Sequence, residues 1–470
     1  MRYVSTRGNA PALGFADVLL AGLADDGGLY VPQSWPELPP LEELRGLDYP
    51  ALAAEVMWPY VAPDGEAAPG DLDRESFDHI VADAYVSFDA PEVIPVRQLG
   101  DLWLVELFHG PTLAFKDVAL QLVGRLFDHV LGGRDGRVAI LGATSGDTGS
   151  AAMEAFRGRE RADCVILFPD GRVSDVQRRQ MTTITDSNCH AVAVDGTFDD
   201  CQDLVKAAFA DTQFRDEVHL SAVNSINWGR VMAQVVYYVW AQLRVSPDAA
   251  PVSFCVPTGN FGNILAGWVA KRMGLPVDRL VVASNRNDIL TRFITTGDMV
   301  MEPVVPTTSP SMDIQVSSNL ERLLFEVLDR DGAAVAALLA AFRADGTVSL
   351  PVEIMERLRG EFDAGRLDDA TAADVVDSIH ETHDVLLDPH TAVGVGVATE
   401  LAPAVSSPLV CMATAHPAKF PDAVFEASGV RPPLPPHLSD LLELPERIEH
   451  APAELSAVEA HVRRVLASGH

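Results

Sequence analysis

Three times in this chain a short apolar run leads into a glycine-bearing turn and then into residues at helical spacing, and that order constrains the fold more than any other feature. The runs are "LWLVELF" (102–108), "RVAIL" (137–141) and "VSFCV" (252–256), and each reads as a strand. The turns that follow are "HGPT", "GATSGDTGS" and "PTGNFGN", with Gly110 and Pro111 breaking the first run. Beyond that first turn Val118, Ala119, Leu122, Val123, Leu126, Phe127 and Val130 recur at three- and four-residue spacing. This predicts a helix that begins close to Asp117 and buries one face. Strand, turn and helix in repeated succession predict an α/β fold on a largely parallel sheet.

A chain of 470 residues has room for two or three domains, and 48% hydrophobic with 22% charged content suits a globular enzyme with a sizeable core. Pro/Gly/Ala-rich joints near 61–70 and 431–436 are the candidate boundaries. The start "MRYVSTRGNAPALG" lacks the apolar stretch of a signal peptide, and runs such as "VVYYVWAQL" are too short to span a bilayer, so a cytoplasmic location is expected. Five scattered cysteines with no CxxC pair suggest neither a disulfide framework nor a zinc ribbon. A formal charge of −32 argues against nucleic acid or anionic membrane as partners. It also means that an anionic ligand must be held by local backbone N–H groups and a few arginines, against the overall field.

Two of the turns present free N–H groups to an anion at the start of a helix. In "PTGNFGN" the glycines at 259 and 262 allow positive φ and close backbone approach. The loop lacks the GK[ST] ending of a nucleotide P-loop and does not match GxGxxG, so nucleoside triphosphate and NAD readings lose ground. In "GATSGDTGS" (142–150) the hydroxyls and glycines around Asp147 suit either a helix cap or a grip on a carboxylate. "GVGVATE" (394–400) reads as tight packing. His380 and His383, with His390 nearby, do not have HExxH spacing, and no metal site is expected. His109 and His416 lie next to turns near strand ends and are candidates for chemistry.

Lysine is scarce: 31 of the 35 basic side chains are arginine, leaving Lys116, Lys206, Lys271 and Lys419. Lys116, in "HGPTLAFKD" (109–117), stands at the mouth of the first helix. The positive end of the helix dipole and partial burial both push its pKa down, toward the free amine that a Schiff base requires. An amine for an aldehyde and a separate cradle for a phosphate are the two things that pyridoxal 5′-phosphate needs.

Long motifs in order along the chain extend this reading. They run from "YVSTRG" and "GLADDGGLYVP" through "HGPTLAFKD", "GATSGDTGSAA", "AVNSINWGR", "PTGNFGNILAG" and "SPSMDIQVSSNLERLL" to "DPHTAVGV" and "ATAHPAKF". Taken together the chain resembles the threonine synthases, in the longer subclass found in many bacteria and fungi. The resemblance implies a fold type II pyridoxal-phosphate enzyme (tryptophan synthase β-like), with two α/β subdomains and an added N-terminal domain. It implies residues 1–95 as that N-terminal domain, 96–436 as the catalytic core with a smaller mobile subdomain at about 135–225, and 437–470 as a C-terminal helical segment.

The implied reaction turns O-phospho-L-homoserine and water into L-threonine and phosphate, by γ-elimination followed by addition of water at Cβ. By resemblance Lys116 is the Schiff-base lysine and carries the early protons, Gly259, Asn260, Phe261, Gly262 and Asn263 cradle the cofactor phosphate, and Thr414 faces the pyridine nitrogen. Thr144, Ser145 and Thr148 are candidates for the substrate carboxylate, and Asn224, Ser225, Asn227 and Arg230 for the substrate phosphate. For Arg230 the other reading is an arginine that ties a helix start to neighbouring carboxylates. The chain is expected to act as a monomer or homodimer. Rival functions are an eliminating lyase that releases a 2-oxo acid, a catalytically silent amino-acid-binding member of the family, and an unrelated nucleotide-binding protein.

Overall fold

The computed structural model describes residues 1–63, 65, 72–134 and 136–468. Of the joint expected at 61–70, residues 64 and 66–70 lie outside the described residues. The second joint, 431–436, runs without helix or strand up to the short 3₁₀ turn Pro436–Leu438.

The three apolar runs form strands, and they divide between two sheets. A six-stranded sheet has the spatial order Phe362–Arg366, Val277–Ser284, Val252–Pro257, Leu409–Ala413, Leu102–Glu106, Val96–Leu99. All its neighbours are parallel except the last pair. A five-stranded, wholly parallel sheet has the order Glu449–Ala451, Cys189–Val194, Ala162–Pro169, Val138–Ala143, Leu220–Ser221. The tail beyond 437, expected as helical, therefore contributes an edge strand as well as the helix Leu455–Ser468.

The strands Val252–Pro257 and Ala162–Pro169 are buried along their whole length, as parallel strands covered on both faces must be. Helix Trp228–Val245 is buried nearly all round and packs on Lys116–Gly132, Gly262–Arg272 and Tyr49–Val61. An apolar surface on every side is what a helix inside a large core requires. The N-terminal residues form a two-stranded ribbon, Tyr3–Ser5 with Tyr30–Pro32, followed by helices Tyr49–Val61 and Arg74–Tyr85.

Strand order decides where the loops meet. Leu409–Ala413 lies between Leu102–Glu106 and Val252–Pro257, so the residues after its carboxyl end fall between the segment leading to Lys116 and the loop at 259–263. In open α/β sheets ligands bind beyond the carboxyl ends of the strands. The helix after Leu102–Glu106 starts at Lys116, one residue before the expected Asp117. "GVGVATE" lies in helix Pro389–Leu401, where a Cβ on Gly394 would stand 2.9 Å from Pro257 Cγ and one on Gly396 2.4 Å from Leu367 Cδ2. Those glycines are there for packing.

Candidate active site

One cleft takes residues from every loop just described. Lys116, Asp147, the 259–263 loop, Ser311, His390 and Thr414 all line it. Lys116 is only 7% exposed, and its Nζ donates to Asp147 Oδ2 at 2.9 Å and lies 3.2 Å from Ser311 Oγ. Burial lowers the Lys116 pKa against the opposing pull of Asp147. Burial alone would raise the Asp147 carboxyl, but the protonated form of Lys116 together with Lys419 holds it well below the usual carboxylate range. Asp147 is therefore an ion, and it accepts hydrogen bonds from Ser311 Oγ at 3.0 Å and Gln177 Nε2 at 2.9 Å.

The 259–263 loop is held from behind. Ser317 Oγ donates to the Gly259 carbonyl at 2.7 Å, and Asn319 donates to the Asn260 carbonyl from both its amide and Nδ2 at 3.1 Å. These carbonyls are engaged by the 317–319 segment, and the loop lines the cleft at the start of helix Gly262–Arg272, where the first N–H groups of a helix have no partner within it. Positive φ was expected at the glycines, but the left-handed residue is Phe261, at φ 61°. The glycine at 259 serves close approach instead, because a Cβ there would stand 2.6 Å from the Ser311 carbonyl oxygen. Phe261 is buried, and its left-handed backbone immediately precedes helix Gly262–Arg272.

Asn263 Oδ1 accepts from Tyr237 and Tyr238 hydroxyls at 2.7 and 2.9 Å, while its buried Nδ2 has no partner among the described residues. Arg230 is similar. Its Nη1 donates to the Val223 carbonyl at 3.2 Å, its Nε has no partner, and no carboxylate pairs with it among the described residues. The reading of Arg230 as a tie to neighbouring carboxylates is thereby excluded. Burial pushes its pKa down to about 10, which leaves it a cation at neutral pH. An unpaired buried guanidinium and an unpaired amide N–H₂ facing one cleft make a site for an anion.

Comparison with known proteins agrees with this geometry. The family description "Threonine synthase N terminus" matches residues 2–85, "Pyridoxal-phosphate dependent enzyme" 92–348, and "Threonine synthase, C-terminal" 391–462. The threonine synthase of Pseudomonas aeruginosa is 52% identical, over 98% of both chains. The chain belongs to the threonine synthase family. Within it, the threonine synthase of Corynebacterium glutamicum is 43% identical over 100% of this chain and 99% of its own. The crystal structure of pyridoxal-phosphate-bound threonine synthase from Brucella melitensis superposes with a TM-score of 0.94, at 50% identity over 99% of both chains. The yeast threonine synthase structure gives 0.92 at 37% identity, again over 99% of both. The fold is accordingly that of the fold type II pyridoxal-phosphate enzymes, as the sequence motifs implied.

The residues of this threonine synthase family member fit pyridoxal 5′-phosphate. The amine with a lowered pKa and the loop at the helix start share one cleft, and Thr414 stands between their strands. Thr414 has its amide on Thr391 Oγ1 at 3.2 Å and its carbonyl on the Phe115 amide at 2.9 Å, which fixes it against the Lys116 turn.

The substrate candidates divide. Thr148, Ser225 and Arg230 line the cleft, whereas Thr144, Ser145, Asn224 and Asn227 do not. Thr144 Oγ1 accepts from the Gly146 and Gly149 amides at 2.9 and 2.8 Å, so it shapes the turn into helix Asp147–Phe156. Asn227 caps helix Trp228–Val245 by accepting from the Gly229 amide and donates to the Leu19 carbonyl. Asn224 is exposed and accepts from the Ile226 amide at 3.3 Å. The half-buried Ser145 sits in the same turn as Thr144.

His109 and His416 line a separate cavity with Asp89, Glu106 and Pro432. Sequence reasoning did not single out Ser311 for the cleft, or Gln177 and Lys419 as partners of Asp147, and it weighed His390 only as a metal ligand. Among the described residues no group of three or more His, Cys, Asp or Glu side chains is placed to hold a metal ion.

Proposed function

We propose that this chain converts O-phospho-L-homoserine and water to L-threonine and phosphate, using pyridoxal 5′-phosphate bound through Lys116. One observation carries the reading: the Lys116 amine, the 259–263 loop and the unpaired Arg230 guanidinium open on the same cleft. Amine and loop answer to the aldehyde and phosphate of the cofactor, and Arg230 answers to a second anion, as a phosphorylated substrate requires.

When bound, the cofactor supplies an electron-accepting ring conjugated to the substrate nitrogen, which makes protons on the neighbouring carbons removable. The chain's own groups do the rest. Lys116, as a free amine in the cleft, would serve as the base that takes up and returns the protons of the neighbouring carbons. Asp147 orients that amine through the 2.9 Å contact, and Ser311, itself bonded to the same Asp147 oxygen, adds a contact at 3.2 Å on the same side. The amides of 259–263, with Asn260 and Asn263, hold the cofactor phosphate, and the Thr414 hydroxyl faces the ring nitrogen without the charge needed to force protonation there. Arg230, with Ser225 beside it, neutralises the substrate phosphate as it departs, and Thr148 takes the substrate carboxylate.

We read residues 1–95 as the N-terminal domain, 96–436 as the catalytic core and about 135–225 as a smaller subdomain whose closure excludes water until hydration at Cβ. The five cysteines are free and buried, in keeping with action in the cytoplasm as a monomer or homodimer. Borohydride reduction followed by peptide mass mapping tests the cofactor assignment, with the pyridoxyl adduct expected on Lys116. An adduct on Lys206, Lys271 or Lys419 overturns it. Release of threonine from phosphohomoserine, with no 2-oxobutyrate, separates the synthase from an eliminating lyase.

A further inference from the structure

Two buried lysines share one carboxylate at the base of the cleft. Asp147 Oδ2 receives Lys116 Nζ at 2.9 Å, and Asp147 Oδ1 lies 3.1 Å from Lys419 Nζ. Lys419, at the end of the turn Pro417–Lys419, has no role in the chemistry above and is fully buried. A charged amine in such a place costs several kcal/mol unless it is paired and fully hydrogen-bonded.

Its surroundings pair it with Asp147 and give it two hydrogen bonds. Lys419 Nζ has three neighbours: the Thr112 carbonyl at 2.6 Å, Gln180 Oε1 at 3.1 Å and Asp147 Oδ1 at 3.1 Å. The Gln180 amide is held with its oxygen toward the lysine, because Nε2 donates to the Thr112 carbonyl at 3.1 Å. Three acceptors and no donor surround the nitrogen, and only an ammonium has three protons to give them. Lys116 is different. One neighbour, Asp147, accepts; the other, Ser311 Oγ, is a hydroxyl that both donates and accepts; and the remaining direction faces the cleft. A neutral amine satisfies that environment as well as an ammonium does.

We propose that Lys419 is a positioning residue: it balances the Asp147 charge on its own, so that Lys116 stays an uncharged amine, the form that bonds an aldehyde and takes a proton from carbon. The other charged or titratable groups facing the pair are Arg230 across the cleft, His390 behind Ser311, and Asp117 on the Lys116 helix. None of them hydrogen-bonds either amine. Asp117 accepts from the Thr112 amide and hydroxyl at 2.8 and 2.6 Å, and the Lys419 charge also acts on it. After burial and the opposing Asp147, the positive charges of Lys419 and Arg230 also lower the Lys116 pKa.

This inference rests on Lys116 as the amine that bonds the cofactor, but its test does not pass through the cofactor. Competitive acetylation of the cofactor-free full chain across pH, read at Lys116 by peptide mass spectrometry, measures the protonation of that amine directly. With Lys419→Met, the Asp147 charge falls to Lys116 alone. The Lys116 titration is then expected to move upward by about one unit, with about tenfold slower acetylation at pH values on the acid side of that titration. Adding Asp147→Asn removes the stranded carboxylate and is expected to bring the titration back toward that of the unaltered chain. A residue that merely ties the 417–419 turn to Thr112 and Gln180 would produce neither shift. Should Lys419→Met fail to fold, Lys419→Gln keeps a donor for the Thr112 carbonyl and is expected to show the same rise. An unmoved Lys116 titration, or a double variant no nearer to the unaltered chain than the single one, overturns the proposal. Such a failure leaves the borohydride assignment standing, and an adduct on another lysine leaves the measured Lys116 titration standing.

Discussion

The Ser311 amide donates to His390 Nε2, 3.2 Å away, so that ring nitrogen carries no proton. The hydrogen is then on Nδ1, which donates to Asp388 Oδ1 at 2.8 Å. Asp388 also caps helix Pro389–Leu401 by accepting from the amides of His390 and Thr391. A helix cap thus sets one histidine tautomer, and the tautomer sets Ser311, whose hydroxyl touches both Lys116 and Asp147. Replacing His390 with Phe leaves the Ser311 amide without its acceptor and is expected to destabilise the fold by about 1–3 kcal/mol. A loss of kcat of about tenfold should accompany it, and Ser311→Ala added to His390→Phe should lower kcat little further. Denaturant unfolding and steady-state rates of the two single variants and the double check both parts. Losses that multiply would show that the histidine acts by some other route.

Arg230 is held by a single carbonyl and paired with no acid among the described residues, so its burial works against stability. With its pKa pushed down to about 10, the folded chain binds the proton less tightly than the unfolded chain. Unfolding therefore gains from the charge at every pH below about 10, and the penalty fades only as pH rises above that value. Arg230→Met is expected to leave the cofactor-free chain as stable as before or to raise its stability by about 1–3 kcal/mol. The same change should lower kcat/KM for O-phospho-L-homoserine by about 10- to 100-fold, as loss of a hydrogen-bonded charge would. Thermal unfolding and kinetics of one preparation test the two directions together. An unchanged kcat/KM removes Arg230 from the phosphate site.

The two glycines of the loop should respond differently to an added methyl group. At Gly259 the new Cβ meets the Ser311 carbonyl at 2.6 Å, and backbone cannot move aside without disturbing the contacts to Lys116 and His390. At Gly262 the nearest atom is Asn319 Nδ2 at 3.3 Å, a side-chain end that can give by a few tenths of an ångström. Gly259→Ala is expected to cost about 1–3 kcal/mol and to weaken cofactor binding at least tenfold, with Gly262→Ala much closer to the unaltered chain. Fluorescence titration of the cofactor-free variants with pyridoxal 5′-phosphate measures the difference, and equal affinities would contradict it.

Lys116 and the 259–263 loop were legible because each sits at a strand end in a local strand–turn–helix pattern, which periodicity and glycine placement report directly. Ser311, Gln177 and Lys419 carry no such local sign. Ser311 reaches the cleft because the segment around 311–319 backs the 259–263 loop, and Gln177 and Lys419 meet Asp147 from sequence-distant segments. Composition drew attention to Lys116 by the rarity of lysine, but the same rarity applied to Lys419, and only the three acceptors around it distinguish its task. The motif at 224–230 divides: Asn227 is used to start a helix, whereas Ser225 and Arg230 line the cleft. Polar residues beside a turn serve caps and sites alike, and sequence does not separate the two.

His109 and His416 line one cavity but are pulled in opposite directions, and stability should record both. Burial disfavours the charged His109 ring, but Glu106 at 2.8 Å and Asp89 at 3.0 Å outweigh it and raise the pKa. Burial pushes His416 down to about 4, helped by the positive charge of His109, and its Nδ1 accepts from the Ala418 amide at 3.1 Å. For His109 the folded chain binds the proton more tightly, so its contribution is complete below about pH 6.5 and is lost as pH rises through the raised folded value. For His416 the unfolded chain binds the proton more tightly, so stability is lost as pH falls from about 6.5 toward about 4. Asn at 416 keeps an oxygen for the Ala418 amide and cannot take up a proton, so His416→Asn should flatten the acid-side loss by about 2 kcal/mol. His109→Asn removes the alkaline-side loss, and by taking a positive charge away from His416 it should also raise the folded His416 pKa, so that the acid-side loss begins at the same pH but ends at a higher pH and is smaller. Denaturant unfolding of the three chains at steps from about pH 8 to pH 4 separates these effects. Parallel profiles for the unaltered chain and His416→Asn over the acid range would mean that His416 takes up its proton in the folded protein.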